Sequence, residues 1–118
     1  MKIKQYNIQD DMFQFKVNVF TGGRYDDLRK LISRTLDVEL EEYEDRTRGL
    51  FSEVSPNTYV FWVESINDTI TLTHEVLHLV FYICREKGIG LSEESEEVFA
   101  YMQGWWMDKI LKLKSKKK

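Results

Sequence analysis

Two histidines and a glutamate in the second half of the chain are the residues whose types and spacing most clearly indicate chemistry. They lie in the segment His74-Glu75-Val76-Leu77-His78, which has the pattern H-E-x-x-H and uses both histidines of the protein. Residues four apart on a helix lie on one face, so both imidazoles can reach one Zn²⁺ at about 2.0–2.1 Å. Glu75 lies one step round the helix and can take a proton from metal-bound water. Chance would produce this pattern about 0.003 times in a chain of this composition.

The segment around the motif predicts a long helix over residues 70–87. Asp68 or a neighbouring residue can cap its start, and Gly88 can end it. Apolar residues occur almost all round this helix, which predicts a central, buried element. If the histidines had no function, burial would leave two polar rings in an apolar environment without a purpose.

A catalytic zinc site needs a third protein ligand and one open position. The sequence contains no third histidine, and Cys84 is six residues beyond His78 on a different helical face. An acidic residue is therefore the expected ligand. The next helix, predicted over residues 93–112 with Ser92 as its cap, begins with the acidic run EESEE. The helix dipole alone favours acidic residues in a first turn, which explains part of this run without a metal.

Within that run we favour Glu97 as the third ligand. It shares a helical stripe with Ala100 and Gly104, two small residues that would let this helix approach the motif helix closely. Close approach there would bring the Glu97 carboxylate next to the two histidines. Glu96 points about 100° away and Glu93 lies one turn earlier, and both remain alternatives.

The rest of the chain predicts a small sheet and one more helix. Strict alternation of apolar and polar residues over 13–20 predicts a half-buried strand, and apolar spacing over 24–37 predicts an amphipathic helix. Residues 49–54 and 58–64 flank a turn at Ser55-Pro56-Asn57, which predicts a hairpin. The second hairpin strand is apolar on both faces and should lie inside the fold.

These elements follow the order β-α-β-β-α-α, which predicts a single α+β domain over residues 1–111. Residues 112–118 hold five lysines and predict a flexible basic tail. Without them, 12 basic residues face 20 acidic ones, which argues against a nucleic-acid partner. A single cysteine, no apolar leader and no membrane-length apolar segment predict a cytoplasmic protein without a membrane partner.

The motif and the residues after it resemble the gluzincin class of zinc metallopeptidases. HEVLH is followed after 18 residues by Glu97 in the step EVFA, which is similar to the ImmA-type peptidases of mobile elements. The sequence THEVLHLV…GIGLSEESEEVFAYMQG also resembles small metallopeptidase-like proteins encoded in phage genomes. The resemblance implies a minimal zincin-like domain, with a small sheet packed on a buried motif helix and a C-terminal helix.

The same resemblance implies roles for individual residues. His74, His78 and Glu97 would be zinc ligands, Glu75 the general base, and strand 58–64 the neighbour that pairs with substrate backbone. Tyr101, one turn beyond Glu97, is the phenol that we expect to stabilise the oxyanion, although packing at the rim of the helix pair explains it equally well.

Two functions from different classes follow. The first is a zinc-dependent hydrolase acting on a protein or peptide, in the host cytoplasm if the chain is phage-encoded. The second is a phage structural or accessory protein, located in the virion or bound to an assembly partner, that retains the zincin fold without turnover. A purely structural zinc site would leave Glu75 unexplained.

Overall fold

The fold is an α+β domain of four strands and three helices, as the class predicted from the sequence requires. It is seen in a computed structural model, in which residues 2–41 and 47–113 are described. Seven elements follow along the chain: β1 (Lys4–Gln9), β2 (Lys16–Thr21), α1 (Tyr25–Thr35), β3 (Gly49–Ser55), β4 (Thr58–Val63), α2 (Thr69–Glu86) and α3 (Glu96–Leu111).

The four strands form one mixed sheet in the order β1-β2-β4-β3. β2 pairs parallel with β4, whereas β1 with β2 and β3 with β4 pair antiparallel. α1 provides the crossover from β2 to the hairpin that a parallel pair requires. In this order β3 and β1 are the two edges of the sheet, and β4 is interior.

The sheet separates two apolar clusters. On one face, Phe20, Val60 and Trp62 pack with the buried side of α1, which includes Leu28 and Ile32. On the other face, the sheet packs against α2 and α3; this cluster includes Val17, Val19, Phe61, Val63, Leu72, Val76, Leu79, Met102 and Trp106. Alternate residues of β4 therefore enter opposite clusters, which confirms that this strand lies inside the fold.

The structure adds β1, a strand that the sequence-based order does not contain. Lys4, Tyr6 and Ile8 form its half-buried side, and only two of these three residues are apolar, so its apolar signal is weak. The turn into β2 is built on Asp10, which is buried and accepts hydrogen bonds from the backbone N–H groups of Met12 and Phe15. These bonds satisfy backbone donors that the turn would otherwise leave unpaired.

Helix α2 is not the fully buried helix that the sequence predicts. Its buried stripe is Leu72, Val76, Leu79, Val80, Ile83 and Cys84. Ile70, Leu77 and Phe81, on the opposite side, are 83%, 46% and 41% exposed. The helix begins after Asp68, whose side chain accepts a hydrogen bond from the backbone N–H of Thr71. α2 ends before Gly88, whose φ of 74° suits a glycine.

Helix α3 begins three residues later than expected. Ser92 and Ser95 form a tight turn, in which the backbone N–H of Ser92 donates to the Ser95 hydroxyl at 3.0 Å, and Glu96 is the first helical residue. At the other end, Leu113 is buried in the core, so the domain boundary predicted at residue 111 omits a core residue. The remainder of the predicted tail, residues 114–118, lies outside the described residues. Across the described residues, no helix combines the length and apolar character needed to span a membrane.

A pair of leucines two positions apart tests the one-sided packing of α2. Leu79 is fully buried, so we expect Leu79→Ala to lower the free energy of unfolding by about 2–5 kcal/mol. Leu77→Ala removes the same atoms from the exposed side and should cost about 0.5 kcal/mol. Urea denaturation of both variants measures the difference, and equal losses would contradict the packing described.

Candidate metal centre and groove

The two motif histidines lie side by side on the exposed face of α2. Their rings meet edge to face with centroids 4.7 Å apart, and the Nε2 atoms of His74 and His78 are 3.2 Å apart. Both side chains are exposed, because the side of the helix that carries Val76 and Leu79 faces the core and the histidines lie on the other side. The helical spacing of four residues therefore brings both ring nitrogens to one point that solvent can reach.

Glu75 points away from solvent toward the first residue of β3. A Cβ added at Gly49 would stand 2.8 Å from the Glu75 Cγ and 2.7 Å from the Thr71 Cγ2. Only a residue without a side chain allows α2 and β3 to approach this closely. Burial in this position raises the pKa of the Glu75 carboxyl, and the neighbouring His74 and His78 partly oppose the increase.

A shallow groove of about 390 Å³ runs along α2 beside β3. Glu75 and His78 lie at one end and Arg85 at the other, and the residues between them are mainly apolar or aromatic. The complete lining is Gly49, Leu50, Phe51, Glu75, His78, Phe81, Tyr82 and Arg85. The groove therefore connects the motif to an apolar surface and a cation.

The strand beside this groove is β3, and not residues 58–64 as the resemblance implies. Those residues form β4, which pairs with β2 on one side and with β3 on the other. No hydrogen-bonding edge of β4 is left for another chain. β3 pairs only with β4 among the described strands, so its outer edge is the one available beside α2.

A hydrogen bond ties α2 to β3 near the middle of the groove. The Tyr82 hydroxyl donates to Oε1 of Glu53 at 2.7 Å, and the backbone N–H of Asn57 donates to Oε2. Both bonds lower the pKa of Glu53, with the larger effect from Tyr82. The same carboxylate raises the pKa of the Tyr82 phenol. Tyr82 thus stays protonated and fixes the distance between helix and strand.

The geometry of the histidine pair fits two ligands of one zinc ion. Two nitrogens bound tetrahedrally at about 2.0–2.1 Å from Zn²⁺ stand about 3.3 Å apart. The observed separation of the Nε2 atoms is 3.2 Å. Within residues 2–41 and 47–113, however, no three His, Cys, Asp or Glu side chains are grouped closely enough to hold a metal. The separation of the two rings is thus compatible with two zinc ligands, and it is equally a hydrogen-bonding distance between the two imidazoles.

The small-residue stripe on α3 does not face α2, although the spacing of Ala100 and Gly104 predicts that it would. Ala100 and Gly104 are exposed, and a Cβ at Gly104 would meet nothing within 4 Å. The side of α3 that packs inward carries Phe99, Met102, Trp106 and Ile110. Glu97 is nine residues before Trp106, which is about 180° round the helix.

None of the three glutamates considered for the third position joins the histidines. Glu97 and Glu96 are exposed in the first turn of α3, and Glu93 lies in the turn before it. Tyr101 is 50% exposed on the outer side of α3 and does not line the groove. The role of Glu97 as a ligand and that of Tyr101 at an oxyanion stay predictions from the resemblance.

The sequence pattern alone does not identify several residues of the groove. The sequence predicts only that Gly49 begins a strand and that Tyr82 and Arg85 belong to a buried helix. The signal available in the sequence is the spacing from His78, because Tyr82 and Arg85 follow it by four and seven residues. These intervals place them on the same side of α2 as the motif.

A second, larger concavity of about 670 Å³ lies beside α1. Its lining has mixed charge, including Lys30, Arg34 and Glu39, and Arg29 pairs with Asp26 at 3.5 Å. It contains neither histidine nor cysteine. The groove beside α2 is the smaller of the two, but it is the one that contains the motif.

Compared with known proteins, the chain matches no protein-family model, no curated protein and no solved structure.

Two glycine substitutions test the close approach of Glu75 to β3. Gly49→Ala should lower the free energy of unfolding by about 1–3 kcal/mol, because its methyl group overlaps Glu75 and Thr71. Gly104→Ala is the matched control: it adds a methyl group in open space within a helix and should raise stability by about 0.5–1 kcal/mol. Chemical denaturation compares them. A Gly49→Ala protein as stable as the parent would show that β3 and Glu75 are not in close contact.

Proposed function

We propose that the chain is a zinc-dependent hydrolase, and specifically a minimal metallopeptidase. The observation that carries this proposal is the pair of Nε2 atoms 3.2 Å apart on the exposed side of α2, with the carboxyl of Glu75 beside them. His74 and His78 would hold the metal. Zn²⁺ bound there would supply a Lewis acid and would lower the pKa of its bound water to about 7.

Glu75 supports the proposal as the group that accepts the proton. Burial against Gly49 raises its pKa, and a base whose pKa is nearer to the working pH transfers protons more efficiently. The Glu75 side chain lies against the backbone of β3 at Gly49, a contact that would limit its movement. Glu75 is thus oriented before a substrate binds.

The groove supports a peptide as the substrate. An extended peptide can bind along the outer edge of β3 by main-chain hydrogen bonds and pass the motif residues. Apolar side chains of the peptide would pack on Phe51 and Phe81. Both residues are partly exposed, so contact with a peptide would remove apolar surface from water.

A second function, binding without turnover, is favoured by two observations. No third ligand joins the histidines among the described residues, and α2 exposes Ile70, Leu77 and Phe81 beside them. An apolar stripe of this kind suits contact with another protein. On this alternative the chain is a phage accessory or structural protein that retains the fold, and its zinc-loaded form cleaves no peptide.

Removal of one histidine tests whether the pair binds zinc. His74→Ala should reduce zinc binding by at least about 10–100-fold, because loss of a ligand should cost no less than loss of a group that supports one. Isothermal titration with ZnCl₂, together with metal analysis of the purified protein, gives the affinity and the occupancy. Full occupancy in His74→Ala would exclude this pair as the ligands.

Glu75→Gln tests the proton transfer separately from the metal. The amide keeps the size of the side chain but cannot accept the proton, so hydrolysis of a peptide mixture should fall by about 10²–10⁴-fold. Zinc affinity should stay unchanged, because Glu75 is not proposed as a ligand. A Glu75→Gln protein as active as the parent would refute the role.

The third ligand is tested by zinc affinity in two neighbouring variants. If Glu97 binds the metal, Glu97→Ala should weaken zinc binding by about tenfold or more, and Glu96→Ala should not. The two residues are both exposed in the first turn of α3, so each is a control for the other. Equal affinity in both variants and in the parent would remove Glu97 from the proposed site.

A further inference from the structure

The groove continues beyond the motif to Arg85, a cation that has no acidic partner among residues 2–41 and 47–113. The Arg85 guanidinium stands over the Tyr82 ring, 5.3 Å from its centroid. Tyr82 is itself held by Glu53, and its ring meets Phe51 at 5.6 Å, edge on. Arg85 is therefore placed at the end of the groove by an aromatic side chain that is fixed by its own contacts.

The charge of Arg85 is not neutralised within the part of the chain that the structure describes. None of the carboxylates in residues 2–41 and 47–113 forms an ion pair with it. Glu53, which is on the neighbouring strand, has both carboxylate oxygens engaged by Tyr82 and by the backbone N–H of Asn57. An exposed guanidinium with five N–H donors is suited to a carboxylate supplied by a ligand.

The distance between Arg85 and the motif corresponds to a few residues of an extended peptide. Seven residues of helix separate His78 from Arg85, a rise of about 10.5 Å. An extended chain advances about 3.3 Å per residue, so three residues cover this distance. The surface between the two ends presents Phe81 and Phe51, which suit a large apolar side chain.

From these observations we infer that the groove selects an acidic peptide. An aromatic or large aliphatic side chain would pack on Phe51 and Phe81, and a carboxylate about three residues from the carbonyl attacked would bind the Arg85 guanidinium. This inference rests on the proposed function for the position of the carbonyl. The binding of the carboxylate requires neither zinc nor turnover.

Peptide binding tests the inference without catalysis. The probe is an acetylated, amidated heptapeptide of sequence Glu-Ala-Phe-Ala-Phe-Ala-Glu, whose central residue is three positions from either carboxylate. Its counterpart carries Gln at both ends. Affinities are measured by isothermal titration with the Glu75→Gln protein, with and without zinc. The acidic peptide should bind about threefold to fivefold more tightly than its counterpart, as expected for one exposed ion pair.

Variants of Arg85 identify the residue responsible. Arg85→Gln should remove the preference for the acidic peptide, and Arg85→Glu should reverse it. Arg34→Gln is the control, because Arg34 is an exposed arginine on α1, across the sheet from the groove, and its loss changes the net charge equally. The preference should survive in Arg34→Gln.

The outcomes separate this inference from the proposed function. The inference would be overturned if the parent bound both peptides equally or bound neither. It would also be overturned if Arg34→Gln and Arg85→Gln reduced the preference for the acidic peptide to the same extent. If the preference depends on Arg85 but the zinc-loaded parent cleaves neither peptide, the inference stands and the peptidase proposal fails. If cleavage occurs with no dependence on Arg85, the peptidase proposal stands and the acidic selectivity is wrong.

Discussion

The contact between α2 and the first residue of β3 determines where the three motif side chains lie. α2 buries Leu72, Val76 and Leu79 against the sheet, which fixes its rotation and directs His74 and His78 outward. With the helix in that rotation, Glu75 must point toward β3, and only glycine at position 49 leaves room for it. The histidine pair and the half-buried carboxyl thus follow from one packing arrangement rather than from three separate ones.

This arrangement places the motif residues in two environments. The imidazoles are in contact with water, whereas the carboxyl one residue away is largely removed from it, and the raised pKa of Glu75 is the consequence. Tyr82 and Glu53 hold the same helix and strand together one turn beyond His78. The α2–β3 junction is therefore supported by a steric fit at one point and by a charge-assisted hydrogen bond at another.

Much of this architecture follows from local sequence signals. β4 is apolar on both faces because Val60 and Phe61 enter different clusters, and the sequence shows this directly. The spacing of His74 and His78 likewise determines their proximity once the segment is helical. β1 escapes detection because just Tyr6 and Ile8 face the core of an otherwise polar edge strand.

Helix orientation is harder to predict, because it depends on tertiary packing. Exposed Leu77 and Phe81 make α2 look apolar on all sides, although apolar residues are common at protein surfaces. Ala100 and Gly104 have the spacing of a helix contact, yet the larger residues Phe99 and Trp106 occupy the interface instead. Spacing alone does not distinguish the two sides of α3, so the position of Glu97 could not be determined from the sequence.

Among the described strands, nothing pairs with the outer edge of β3, and this has a consequence for the behaviour of the protein at high concentration. Unpaired backbone donors and acceptors on an edge strand are a template for any other extended chain, including a second copy of the same strand. β3 carries Leu50, Phe51 and Val54 and is interrupted by a single charged residue, Glu53, whose carboxylate is already engaged. A second copy of the protein and an extended ligand would compete for this edge. Binding of a ligand there should therefore reduce self-association and raise the colloidal stability of the protein.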